Sequence, residues 1–194
     1  MKKLSKMFLG MCLAVMMTGV QAATVSLSPS SISVPQGSGT VVFNVLGDFG
    51  GTTLTPFFLL GGNMDITWNP AVITFNNFVF TLAGRDTFYD VQNLVTSGKL
   101  QIALGNLAGI TLTGPATIGT LTFNVFGTAG SNTSIVLQDT PSSGFFDTTS
   151  VQKIAVTYSG APVNITAPVP LPAAFWLLLS GLTPLGFVLR SKTR

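Results

Sequence analysis

Side chains able to move protons, attack carbonyls or hold metals are scarce in this chain of 194 residues. It has no His and no Glu, and its single cysteine is Cys12. Hydrolysis needs a general acid and base, or a nucleophile with a base beside it. Only aspartates remain for such work. Asp86 and Asp90 stand four apart in Arg85-Asp86-Thr87-Phe88-Tyr89-Asp90. A pair so spaced could ligate Ca²⁺ or act as paired carboxylates, or it could be a solvated loop with Arg85 salt-bridged nearby. The spacing is not that of an EF-hand. The expectation is a protein that is not an enzyme and carries no cofactor.

Binding is the chemistry the residues favour. A sugar offers its ring face to an exposed planar aromatic and its hydroxyls to Asn, Asp or Gln. Phe57-Phe58 and Phe145-Phe146-Asp147 are candidates, because neighbours on a strand face opposite sides and one of each pair should point outward. Phe57, Phe145 and Asp147 are the expected ligand-binding residues. Trp68 alternates with Met64 and Ile66, which places it in the core.

Charge excludes one class of partner. Charged residues are 8% of the chain, against roughly 25% in ordinary soluble domains. Six of the nine cations sit at the ends: Lys2, Lys3, Lys6, Arg190, Lys192 and Arg194. The middle holds Arg85, Lys99 and Lys153 against Asp48, Asp65, Asp86, Asp90, Asp139 and Asp147, a net of −3. No basic patch is left there for phosphates, so nucleic acid is not an expected partner.

The elements that position these residues are strands. Thr40–Val45, Thr120–Val125 and Lys153–Tyr158 alternate apolar and polar residues with period two, as half-buried strands do. Further strands are expected at 24–28, 64–68, 72–75, 78–82, 100–104, 110–113 and 134–138. Gly- and Pro-rich turns separate them. One helical turn is expected near Asp86 to Val91. Residues 23–160 then form one all-β domain, an antiparallel β-sandwich. Residues 161–168, rich in Pro and small side chains, read as a linker.

The ends are addresses. Residues 1–22 have the basic start, the short apolar run and the small residues before a cleavage point of a secretory signal helix, cut after Ala22. Leu171 to Leu189 is uncharged and, as a helix, roughly 28 Å long, about one hydrocarbon core. The basic residues behind it stay cytoplasmic, which puts the domain outside.

Two resemblances refine this reading. Val169-Pro170-Leu171-Pro172-Ala173-Ala174, the apolar helix 171–189 and the basic end resemble the PEP-CTERM sorting signal, in its Val-Pro-Leu-Pro-Ala-Ala variant. Leu171 stands where the name-giving Glu would be, and Pro184 interrupts the helix. The resemblance implies an exosortase as processing partner and a Gram-negative host that makes exopolysaccharide. It implies anchoring in the inner membrane, then a place on the surface or in the matrix. Gly61 to Phe75, with Asn69-Pro70-Ala71 between two strands, is similar to the core strand pair of cohesin-type domains. Ile118–Val125 and the turn after it are similar to a later strand of the same domains. This implies the jelly-roll sandwich that cohesins share with certain carbohydrate-binding modules. The expected role is structural or adhesive, in the exopolysaccharide or biofilm matrix. The alternatives are a carbohydrate-binding module and a dockerin-type protein receptor.

Overall fold

A computed structural model describes residues 22–139 and 144–168. The signal segment short of Ala22, the motif Val169–Ala174 and the apolar stretch 171–189 lie outside the described residues.

Two sheets are built from β1 (Ala23–Ser28), β2 (Ile32–Pro35), β3 (Thr40–Asp48), β4 (Phe57–Thr67), β5 (Ile73–Phe80), β6 (Val91–Thr96), β7 (Lys99–Leu112), β8 (Ala116–Val125), β9 (Asn132–Gln138), β10 (Phe145–Asp147), β11 (Val156–Ser159) and β12 (Ala161–Thr166). The smaller sheet runs β11-β1-β3-β8-β5. The larger runs β2-β12-β9-β4-β7-β6, with β10 also on β4. A single 3₁₀ turn, Thr87–Tyr89, is the one helical element among the described residues, where a helical turn is expected.

Period-two patterning decides which face is buried. Val41, Phe43 and Val45 of β3 and Leu121, Phe123 and Val125 of β8 point inward, while Val42, Asn44, Thr120, Thr122 and Asn124 point out. Met64 and Ile66 of β4 and Leu100 and Ile102 of β7 meet them from the other sheet. Each such side chain taken from water contributes about 1.5–3 kcal/mol before the entropy of ordering it is set against that. Trp68, just past β4, is buried and crosses the sandwich to Phe123 of β8, with ring centroids 5.0 Å apart. Asn69 makes the local turn bond of the Asn-Pro-Ala sequence, its Oδ1 accepting from Ala71 N at 3.0 Å. Its own amide donates to the buried Thr133 hydroxyl at 3.0 Å, which ties the turn to β9.

The structure corrects several expectations. Residues 161–168 are not a linker: Ala161–Thr166 is an interior strand between β2 and β9, with Ala161, Val163 and Ile165 buried. The domain therefore extends past residue 160. The segments 72–75 and 78–82 belong to one strand, β5, with a bulge between Phe75 and Asn77. Likewise 100–104 and 110–113 belong to the long β7, with an irregularity opposite Leu59 to Gly61. In Lys153–Tyr158 only Val156 onward is strand, and Lys153 makes an isolated bridge to Phe146. The sheets are not wholly antiparallel, since β1 pairs β11 and β2 pairs β12 in parallel. Strands from the start and the finish of the domain lie side by side there and run the same way.

Candidate functional site

Charge is spent internally. Arg85 Nε meets Asp90 Oδ2 at 2.8 Å, Lys99 Nζ meets Asp65 Oδ2 at 2.7 Å, and Lys153 Nζ meets Asp139 Oδ2 at 2.6 Å. The remaining aspartates hold turns. Asp48 accepts from Gly50 N, Asp86 from Phe88 N, and Asp147 from Ser150 N and Oγ. The Ser150 hydroxyl above all, with the backbone amides, holds the Asp147 carboxyl below its usual 3.8. The calcium candidates Asp86 and Asp90 are thus committed separately, one to a cap and one to Arg85. Among the described residues no three metal-ligating side chains gather.

Two of the three expected ligand-binding residues face the wrong way for that role. Phe145 is 1% exposed and packs on Phe49 with centroids 5.2 Å apart. Gly62 of β4 admits it: a methyl group there would lie 2.6 Å from Phe145 Cδ1. Phe57 is half-buried and stacks on Phe49. The outward partner of its pair is Phe58. Asp147 is half-buried and bound to its own turn.

The outer face of the larger sheet brings together residues that the pattern did not single out. The strand registers set Gln138, Asp65, Gln101 and Asn93 in one row across β9, β4, β7 and β6. Asp65 points outward yet is 0% exposed. Lys99 covers one oxygen, and Gln101 Nε2 donates to the other at 3.3 Å. Further along the same face lies an apolar hollow of about 370 Å³, lined by Leu60, Phe88, Tyr89, Val91, Ala103 and Leu107 among others. Phe88 is 82% and Leu107 75% exposed.

Local bonds hold this rim out. Asp86 caps the 3₁₀ turn that carries Phe88 and Tyr89, and Asp86 N donates to Gly105 O of β7 at 2.9 Å. Gly105 lies beneath the turn, where a methyl would be in ordinary contact with Tyr89 Cβ at 3.6 Å. Arg85 closes the loop through Asp90, through Leu82 O, and over the Phe80 ring at 5.8 Å. Asn106 projects Leu107 by bonding Ala108 N and Gly84 O, both at 2.8 Å. The Phe88 and Tyr89 rings stand at 89° to one another.

A second surface opens at one end of the smaller sheet. It is an uncharged groove of about 740 Å³ whose lining includes Asn44, Thr81, Thr111, Thr113, Thr117 and Thr120.

No protein-family model matches the chain, and no curated protein is significantly similar to it. Solved structures do match in fold. The sixth cohesin of scaffoldin B from Acetivibrio cellulolyticus, solved in complex with a Cel5 dockerin, superposes with a TM-score of 0.61 at 15% identity, over 75% of this chain and 99% of that one. CaCohA2 from Clostridium acetobutylicum gives 0.59 at 20% identity, over 77% and 94%. A non-cellulosomal cohesin from the archaeon Archaeoglobus fulgidus gives 0.56 at 14% identity, over 79% and 96%. The described residues form a cohesin-like β-sandwich.

Proposed function

We propose that this chain is an exported, non-enzymatic adhesive module that grips a protein partner on the outer face of its larger sheet. The observation that carries the reading is the hollow between Leu60, Phe88, Val91 and Leu107, beside the Gln138–Asp65–Gln101–Asn93 row. An apolar centre rimmed by polar groups is how protein interfaces are built, and large exposed apolar side chains otherwise cost solubility. With its cations and aspartates paired or capping turns, the domain would hold its partner by apolar packing and neutral hydrogen bonds. Structures of similar fold include cohesins in complex with dockerins, which supports a protein as the occupant.

The address completes the proposal. The signal 1–22 exports the chain, and the tail 169–194 holds it in the inner membrane until an exosortase acts at Val169–Ala174. The product then stands on the surface or in the exopolysaccharide matrix of a Gram-negative cell. Mass spectrometry of the mature protein should find Ala23 as its first residue, and loss of the exosortase should leave the chain in the inner-membrane fraction. An unchanged N-terminus, or a distribution indifferent to the exosortase, would refute this part.

The threonine-lined groove favours a second reading, a glycan held by hydroxyls without charge. One experiment separates the two. The exported chain is incubated with matrix proteins and, separately, with the matrix polysaccharide, beside a Phe88→Ser/Leu107→Ser variant and a Thr113→Val/Thr117→Val variant. Saturable capture of one protein, lost in the first variant alone, is expected. Polysaccharide binding lost only in the second would replace the protein reading with the glycan one. Binding of neither would refute both.

A further inference from the structure

Strand direction sorts the connections of this sandwich into two ends. β12 finishes at Thr166. β2 runs parallel to it, and so does β4, since β4 and β12 are both antiparallel to β9. The pairings of Lys99 with Thr67 and of Thr40 with Asn124 fix the other strands. The connections 36–39, 68–72, 97–98 and 126–131 therefore gather at the end where β12 finishes.

Backbone bonds tie these connections to the finish of β12. Gln36 N donates to Thr166 O at 2.9 Å, Gly130 N to Ile165 O at 2.8 Å, and Ile165 N to Ser131 O at 2.9 Å. Phe126 N and Gly127 N both donate to Val72 O, at 3.0 and 2.9 Å. Charge is sorted between the ends as well. None of the four connections contains a charged residue, whereas every aspartate but Asp65, with Arg85 and Lys153, lies at or after a strand end on the opposite side. Phe126, in one of the uncharged connections, is 66% exposed.

We propose that this uncharged end is a membrane-resting surface, seated on lipid headgroups with Phe126 in the interface. The inference rests on the reading of 171–189 as a membrane span. Four residues separate Thr166 from Leu171, a reach of at most about 18 Å. About 5–7 Å of that is headgroup layer, so the end bonded to Thr166 is kept close over the lipid. An end without carboxylates meets anionic headgroups without repulsion, and an exposed aromatic gains by entering the interface. The same geometry holds the hollow clear of the membrane. The registers lead from Gly61 to Thr67 of β4, across to Val136 and Ile135 of β9, and on through Ala161 to Thr166 of β12, about twelve residues of strand or roughly 40 Å.

The test uses the exported chain, which begins at Ala23 and has no cysteine of its own. It is taken from cells lacking the exosortase, so that its tail is kept, and reconstituted in vesicles of zwitterionic and anionic phospholipid. Ser38→Cys, Thr128→Cys, Leu54→Cys and Leu107→Cys each carry a fluorophore, which a spin label on the lipid headgroups quenches. Labels at 38 and 128 should lose most of their fluorescence, and labels at 54 and 107 should keep theirs. Phe126→Asp should restore much of the fluorescence at 38 with the thermal midpoint unchanged, because the residue is at the surface. Flotation with the vesicles is read first: a chain that does not float overturns the anchored reading and this inference with it. A chain that floats but is quenched equally at both ends, or more at 107, overturns the inference alone. So does quenching at 38 that Phe126→Asp leaves intact, because the tether by itself would then account for it.

Discussion

The two sheets are braced at one end by a polar group that can be tested through its titration. Tyr158 lies in β11 of the smaller sheet, and its hydroxyl bonds Asp139, just past β9 of the larger. Lys153 Nζ lies 2.6 Å from the other Asp139 oxygen. Tyr158→Phe removes one charge-assisted bond and leaves Asp139 paired, so no buried charge is orphaned. Such bonds contribute about 1.5–3 kcal/mol, and the half-buried setting of Tyr158 argues for the lower end, about 1.5 kcal/mol. In a domain of this size that lowers the thermal midpoint by about 3–6 °C near neutral pH. Burial first, and then the Asp139 carboxylate, raise the Tyr158 pKa far above its usual 10. A raised pKa stabilises the fold fully below the unfolded value and progressively less above it. Above about pH 10 the unfolded tyrosine ionises while the folded one does not, and the native chain loses about 1.4 kcal/mol per pH unit relative to the variant. The gap in midpoint should therefore close near pH 11. Thermal unfolding of both, followed by circular dichroism from pH 7 to 11.5, reads this directly. A gap that persists unchanged at the alkaline end, or no gap at neutral pH, would refute the brace.

Phe145→Ala empties a core position that is 1% exposed and should cost about 3–5 kcal/mol, read as a fall in the denaturant midpoint; a surface role for Phe145 predicts almost no change. Asp147 has its pKa lowered, so its contribution is present above about 3.8 and fades as pH falls through the lower folded value. Asp147→Asn should therefore be less stable than the native chain at neutral pH and match it in strong acid; a difference independent of pH would refute the Ser150 cradle.

What was legible in the chain was legible for a local reason. β3 and β8 alternate cleanly because one face meets the core and the other meets water, and that leaves a mark in each strand by itself. The Asn69-Pro70-Ala71 turn and the buried Trp68 follow from neighbours a few residues away. β12 was hidden by composition: Pro162 and Asn164 make Ala161–Thr166 look like linker, yet its inward residues keep the period. It is a strand because β2, some 130 positions earlier, and β9 supply the backbone partners. Phe57 and Phe145 show the limit of pattern in another way. Alternation says that one residue of each adjacent pair faces inward and is silent on which. Phe49 and the bare backbone at Gly62 settle it.

The amino-acid sequence alone determined that this is an all-β domain poor in charge and in catalytic side chains, because strand period and residue chemistry are properties of short stretches. Tertiary structure decided where the domain can bind. The hollow draws on Leu60, on Phe88, Tyr89 and Val91, and on Ala103 to Leu107; the row beside it draws on residues 65, 93, 101 and 138. These become neighbours only when β4, β6, β7 and β9 are laid edge to edge at fixed registers. A shift of one residue in any of those registers would turn the same side chains to the opposite face.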